Sequence, residues 1–163
     1  ALALARSRLG EDVRLEILNV AEAALPETFD LVSSVQVVEH IPDDVAALRN
    51  IARMSHRYVY TSTISGRIRP SERAIGHIRN YSATELVAKH EAVGLEVVWV
   101  RGWGFPFYSP LYRTVAELLP SGPPSGDIRG AARTVSSLLY HLYRLNVPGR
   151  GDVIGVLARK PGA

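Results

Sequence analysis

FDLVSSVQVVEHI, residues 29–41 of the 163-residue chain, joins a run of apolar and small residues to a short polar end. The run Phe29–Val35 predicts a strand that is covered on both faces, because it lacks the alternation of a half-exposed strand. Pro42-Asp43-Asp44 comes next, with a proline suited to the first helical turn and two acids suited to its positive end. The pattern therefore predicts a strand, a turn and a helix.

Helix and strand patterns alternate outward from this stretch. Strands are predicted at Val13–Leu18, Tyr58–Ser62, Leu95–Val100 and Asp152–Arg159. Helices are predicted at Ala1–Leu9, from Pro42, from a Ser82–Glu85 capping box to about Val93, at about Tyr112–Leu119 and at Asp127–Asn146. This alternation predicts an α/β fold with a mostly parallel sheet, helices on both faces and an antiparallel last strand.

The connection between the last two predicted strands is long. It contains the aromatic loop Gly102–Tyr112 and the breaker-rich segment Pro120–Gly126. We therefore expect a single domain over residues 1–163, with a helical excursion at about residues 102–146.

Composition excludes several classes of protein. There is no cysteine, so disulfides and thiolate metal sites cannot form, and no apolar run is long enough to span a bilayer. The net charge of +3 comes from basic residues that are spread along residues 51–163, which argues against a nucleic-acid-binding surface. We expect a cytoplasmic protein without an integral membrane segment.

Several segments together resemble the class I S-adenosylmethionine-dependent methyltransferases. They are FDLVSSVQVVEHI, the helix Asp43–Met54, and the segments Gly76–Leu86, Ala92–Val98 and Gly151–Lys160. The resemblance implies a Rossmann-like partial methyltransferase fold that uses S-adenosyl-L-methionine. It also implies methyl transfer to a small-molecule acceptor, for which we expect a hydroxyl.

The family's glycine-rich cofactor loop has no counterpart in this sequence. Gly102-Trp103-Gly104 follows a late strand and precedes Pro106, so it cannot open a helix as that loop does. We therefore expect a chain that is cut upstream and inactive by itself. The alternative is a non-catalytic remnant that acts as a binding or scaffolding module.

The resemblance implies a cofactor side at the carboxyl ends of the early strands. Asn19 matches the position that accepts from the adenine amino group, and Val20 would offer its backbone amide to the ring. Asn19 is equally well explained as a turn residue. Ser34, Val35 and Gln36 match the segment that lines the methionine part of the cofactor.

The resemblance also implies an acceptor side. His40 and His77 are the candidate catalytic residues, because imidazole can take the proton of a hydroxyl; packing and exposed-loop roles are the alternatives. Candidate substrate contacts are Arg79, Tyr81, Trp103 and Phe107. The Glu39-His40 pair helps to bind a cation in some metal-using relatives, but one pair without further ligands is a poor site, so no metal is predicted.

Overall fold

The four strands in the described part of the chain form one sheet. The computed structural model describes residues 2–118 and 130–162. The strands are β1 (Phe29–Val35), β2 (Ser55–Ile64), β3 (Glu96–Trp103) and β4 (Val153–Arg159), in the order β1-β2-β4-β3. β1 pairs parallel with β2, and β4 pairs antiparallel with both β2 and β3. Three of the four strands therefore run in one direction, which confirms the mostly parallel sheet with an antiparallel last strand.

The helices begin close to the predicted capping residues. They are α1 (Leu2–Leu9), α2 (Asp44–Met54), α3 (Pro70–Ala74), α4 (Ala83–Ala92), α5 (Arg113–Glu117) and α6 (Ala131–Tyr143), with a 3-10 turn at Val38–His40. The Asp43 side chain accepts from the Ala46 amide at 2.9 Å and starts α2. Ser82 accepts from the Glu85 amide at 3.1 Å and starts α4. Both caps satisfy amides that a helix start leaves free.

None of the helices in the part of the chain that the structure describes is long and apolar enough to cross a membrane.

The core lies between the sheet and the two helices α2 and α4. Leu48 of α2 and Leu86 of α4 are fully buried and share one apolar cluster with Val59 of β2 and Val156 of β4. Burying side chains of this size is the main source of stability in a domain this small. The cluster fixes β2 and β4, and it thereby fixes the residues that follow β2.

Two expectations about the early strands are wrong. Val13–Leu18 forms no strand ladder, because no described strand lies beside it, and the Ile17 side chain is 85% exposed. β1 is not covered on both faces, since Leu31 and Val35 are 54% and 55% exposed. Both differences have one cause, which is that β1 is the edge strand of the described sheet. No described strand covers its outer side, and Val13–Leu18 has no hydrogen-bonded neighbour with which to form a strand.

The segment between β3 and β4, which we call the β3–β4 connection, is described at residues 104–118 and 130–152. It contains a kinked helical segment, Phe107–Tyr112, in which the Ser109 backbone is extended, followed by α5 and then α6. The predicted segment Pro120–Gly126 and the first residues of the predicted helix Asp127–Asn146 lie outside the described residues. Large apolar side chains of α6 are exposed, among them Leu138 at 65%.

Candidate functional site

The carboxyl ends of β1 and β2 lie side by side, because the two strands are parallel. Ser34 pairs with Thr61, and Val35 pairs with Ser62. Just beyond β1, the Gln36 amide donates to the Ser62 carbonyl at 2.8 Å while Gln36 holds a left-handed φ of 54°. The chain therefore turns sharply at the position where ligands of open α/β sheets bind.

Three buried polar side chains lack a protein partner at this edge. Ser34 Oγ, both carboxylate oxygens of Glu39 and Thr63 Oγ1 are buried and accept or donate no hydrogen bond among the described residues. Glu39 and Thr63 are fully buried. Because an unpaired buried polar group costs about 1 to 3 kcal/mol, such a concentration is typical of a binding site.

Glu39, His40 and His77 come together next to these groups. The two imidazole rings are 4.6 Å apart between centroids and nearly perpendicular. One ligand atom from each of the three residues lies within 4.8 Å of the others. The prediction of no metal rests on the lack of a further ligand beside Glu39 and His40. In the structure His77 lies within reach of both, so that reason does not hold. Two imidazoles and a carboxylate are a donor set that divalent transition metals accept.

His77 is held from behind by the α3 segment. Its backbone amide donates to the Glu72 carbonyl at 2.9 Å, and its Nδ1 lies 3.4 Å from Asn80 Oδ1. Gly76 permits this return of the chain, because it holds a φ of 96°, where a side chain would be strained. The ring is 95% buried as a result, since only 5% of His77 is exposed.

Arg79 and Tyr81 make an internal network around Asp44. The Tyr81 hydroxyl donates to Asp44 Oδ2 at 2.7 Å, and Arg79 lies 2.6 Å from the same carboxylate. Lys89 approaches Asp44 Oδ1 at 3.0 Å. Burial acts to raise the pKa of Asp44, but the bonds from Tyr81, Lys89 and Arg79 outweigh it and lower that pKa. Tyr81 is 1% exposed, so its substrate role stays a prediction that the geometry does not favour.

Asn19 and Val20 form a turn that is attached to α2. The Asn19 carbonyl accepts from the amides of Glu22 and Ala23, and Asn19 Oδ1 accepts from the Ala21 amide at 3.3 Å. Asn50 of α2 donates to the Val20 carbonyl at 2.8 Å. The Asn19 side chain thus serves its own turn, as the alternative interpretation predicted, and its cofactor role stays a prediction.

The aromatic residues of the β3–β4 connection pack on one another. Trp103 lies 5.4 Å from the Tyr108 ring and 6.1 Å from the Tyr143 ring, between centroids. Phe107 borders a shallow apolar pocket with Leu111 and Val115. Burial, with smaller contributions from Tyr112 and Tyr108, raises the pKa of Tyr143 to about 12.

A cleft of about 420 Å³ separates α3 from this aromatic cluster. Its walls include Ile75 on one side and the rings of Tyr108 and Tyr112 on the other. Glu72 and Arg113 form its floor as a buried ion pair. Ile64, at the carboxyl end of β2, also lines the cleft, which therefore opens beside the strand ends.

Sequence reasoning missed the ion pair and the residues behind His77. Glu72 lies in a stretch for which the sequence predicts neither a helix nor a strand, and α3 is too short to show a periodic pattern. Arg113 is one arginine among many, and its 6% exposure is visible only in three dimensions. The only available signal was Pro70 with Glu72 two residues later, which is typical of a helix start.

The methyltransferase domain family matches the chain over residues 1–57. A search of curated proteins gives no match. Solved structures match along nearly the whole chain at low identity. The [4+2]-cyclase SpnF is similar with a TM-score of 0.58 and 15% identity, covering 99% of this chain and 61% of that one.

Two further structures show the same likeness. StiE O-MT has a TM-score of 0.54 at 14% identity, covering 99% of this chain and 55% of that one. An S-adenosylmethionine dependent methyltransferase from Mesorhizobium loti has a TM-score of 0.53 at 16% identity, covering 96% and 75%. The chain thus spans between about half and three quarters of the length of these proteins.

Proposed function

We propose, since the chain resembles class I S-adenosylmethionine-dependent methyltransferases in sequence and in fold, that it takes part in methyl transfer to a small-molecule hydroxyl. The observation that carries the proposal is the group of unpartnered buried polar atoms beside two histidines at the ends of β1 and β2. A structural core would pair or exclude such atoms. A site for a polar ligand needs them free.

The cofactor brings a good leaving group, so the chain's own residues have two tasks. The acceptor oxygen must lie in line with the methyl carbon, and its proton must be removed. S-adenosyl-L-methionine, when bound, would supply the methyl carbon to the acceptor oxygen, and its sulfur would keep the electron pair of the carbon–sulfur bond that breaks. The hydroxyl proton moves to an imidazole of His77 or His40. The nearby Glu39 carboxylate is placed to stabilise the imidazolium that results.

The cofactor side of the proposed site consists of Ser34, Val35 and Gln36, with Asn19 and Val20 as further contacts. Ser34 is buried with a free hydroxyl, which suits a polar ligand. Gln36 turns the chain sharply with its left-handed φ. These features support S-adenosyl-L-methionine at this edge without assigning individual contacts to it.

The acceptor side is the cleft between α3 and the aromatic cluster. Its apolar walls and the rings of Tyr108 and Tyr112 suit a small acceptor with an apolar or cyclic body. Trp103 supports Tyr108 from behind. The substrate roles that the sequence assigns to Trp103 and Phe107 stay predictions, since Tyr108 lines the cleft, Trp103 packs against Tyr108, and Phe107 borders the neighbouring apolar pocket.

A second candidate is a binding module without methyl transfer. The exposed apolar side chains of β1, Phe29, Leu31 and Val35, favour it, because an uncovered strand edge invites a partner. One similar structure is a cyclase by its printed name, so this fold serves reactions other than methyl transfer.

The test separates the two candidates by label transfer. Residues 1–163 and the product of the longest reading frame that contains them are incubated with S-[methyl-³H]adenosylmethionine and a panel of hydroxylated aromatic and aliphatic compounds. We expect transfer by the longer product, and at least tenfold weaker cofactor binding by residues 1–163. Cofactor binding by neither form would contradict methyl transfer and leave the binding module.

The acceptor side has its own test. Trp103→Ala and Phe107→Ala should raise the KM for the acceptor about fivefold to tenfold and change the KM for the cofactor little. Tyr140→Ala is the matched control, because Tyr140 is an aromatic residue of α6 that is 62% exposed. Loss of cofactor affinity with unchanged acceptor affinity would reverse the two sides.

A further inference from the structure

A chain of hydrogen bonds runs from Glu72 through Asn80 to His77. Asn80 Nδ2 donates to Glu72 Oε2 at 2.9 Å, and Asn80 Oδ1 lies 3.4 Å from His77 Nδ1. Glu72 belongs to α3, and Asn80 bridges it to His77. The sequence patterns assigned no role in the site to Asn80 or Glu72.

The donors and acceptors of this chain allow one consistent assignment. An ionised carboxylate only accepts, so the group of Asn80 that faces Glu72 must be its NH₂. The amide oxygen of Asn80 then faces His77, and an amide oxygen also only accepts. The Nδ1 atom of His77 must therefore carry the proton. In a neutral imidazole this leaves Nε2 as the nitrogen with a free lone pair.

Glu72, the first member of this chain of hydrogen bonds, is held in place by several bonds. It is 5% exposed, its Oε2 also accepts from the Arg69 amide at 2.9 Å, and its Oε1 binds the buried Arg113. Burial acts to raise the pKa of Glu72, but the bonds from Arg69, Asn80 and Arg113 outweigh it and lower that pKa. The carboxylate is thus ionised near neutrality and can only accept.

A buried histidine elsewhere in the fold shows the contrast. His90 uses both ring nitrogens within the protein, with Nδ1 at 2.7 Å from the Leu86 carbonyl and Nε2 at 2.9 Å from Thr61 Oγ1. His77 has a protein hydrogen-bond partner for Nδ1 and none recorded for Nε2 among the described residues. His90 therefore has partners for both ring nitrogens, whereas the Nε2 atom of His77 stays available among the described residues.

We propose that Glu72 and Asn80 are positioning residues that hold His77 in the Nδ1–H tautomer, so that Nε2 is the atom that takes the acceptor's proton. The tautomer follows from the hydrogen bonds alone. The proton transfer rests on the proposed function. Since Glu72 and Arg113 also form the floor of the cleft, the same carboxylate connects the acceptor site to the orientation of the base.

The tautomer is measured without any methyl transfer. Long-range ¹H–¹⁵N correlation spectra of the ¹⁵N-histidine-labelled chain resolve the imidazole nitrogens of its five histidines, and His77→Gln identifies the His77 signals. We expect a protonated Nδ1 and an unprotonated Nε2 for the neutral His77 ring. A wild-type spectrum with the Nε2–H tautomer would overturn the proposal, and it needs no variant to fold.

Two matched asparagine variants separate positioning from stability. Asn80→Ala should convert His77 to a mixture of tautomers and lower kcat about tenfold to a hundredfold, with the acceptor KM nearly unchanged. Asn146→Ala removes another buried asparagine, whose Oδ1 accepts from the Phe107 amide at 2.9 Å, and should leave the His77 signals unchanged. Glu72→Gln keeps an acceptor for Asn80 and should preserve part of kcat.

The two proposals fail in different ways. An unchanged His77 spectrum in Asn80→Ala would overturn the positioning role even if the enzyme transfers methyl groups. The predicted tautomer in a protein that transfers no methyl group would retain the hydrogen-bond chain and remove the proposed function.

Discussion

The sheet with α2 and α4 differs from the β3–β4 connection in how its apolar residues are used. Leu48 of α2 is fully buried, whereas Leu138 of α6 is 65% exposed, although both occupy helices with an apolar stripe. Two tyrosine hydroxyls differ as well: that of Tyr81 has partners, and that of Tyr143 has none among the described residues. The comparison shows that the first region contains a packed apolar core, whereas the second exposes apolar side chains that are available to bind a ligand or a partner.

The same leucine truncation should have very different effects in the two regions. Leu48→Ala leaves a cavity in the core and should lower the free energy of unfolding by about 2 to 5 kcal/mol. Leu138→Ala removes an exposed side chain and should change it by less than about 0.5 kcal/mol. Urea unfolding of both variants measures the difference. Equal losses would show that α6 is covered in solution.

The buried carboxylate of the first region should make stability depend on acid. Asp44→Asn keeps the shape but loses the charge that Arg79 and Lys89 require, and should cost about 2 kcal/mol near neutral pH. Because the pKa of Asp44 is lowered by folding, its stabilisation is full above the unfolded value of about 4 and is lost below it.

Unfolding of the wild type and of Asp44→Asn is therefore compared between pH 7 and pH 2. The difference between them should stay constant down to about pH 4 and shrink at lower pH. Asp43→Asn is the control, since asparagine also caps a helix well. A difference that grows as the pH falls would contradict the assignment.

Deletion of a tyrosine hydroxyl should change stability differently in the two regions. Tyr81→Phe removes bonds to Asp44 and to the Val38 carbonyl and should destabilise by about 1 to 2 kcal/mol. Tyr143→Phe removes a buried hydroxyl without a partner and should be neutral or stabilising by up to about 1 kcal/mol. Thermal melts of the two variants decide this, and destabilisation by Tyr143→Phe would reveal a partner for its hydroxyl.

The sequence predicted the first region well because its elements have local signals. Ser82 caps α4 as expected, and β2 and β4 lie where the patterns placed them. Asp43, which was predicted as an acid of the first turn, is the N-cap of α2. The strand prediction for Val13–Leu18 fails for a physical reason. Alternation of apolar and charged residues shows that a segment can form a strand, but strand pairing also needs a neighbour from elsewhere in the chain.

The site was predicted only in part. His40 and His77 were selected separately, and the structure brings them to 4.6 Å. The orientation of His77 depends on Asn80 and Glu72, which are three and five residues away and have no motif of their own. Hydrogen bonds between side chains of this kind are set by packing in three dimensions, so the spacing of residues in a single sequence does not reveal them.

The position of β4 has a consequence for protein synthesis. β4 lies between β2 and β3, yet it is the last of the four strands to be made. A ribosome adds roughly 5 to 20 residues per second, so about 5 to 20 s pass between completion of β2 and the start of β4. Throughout that interval β2 exposes an unpaired edge, and β3 does so as soon as it has been made. The nascent chain should therefore be a client for chaperones until residues 153–159 leave the exit tunnel.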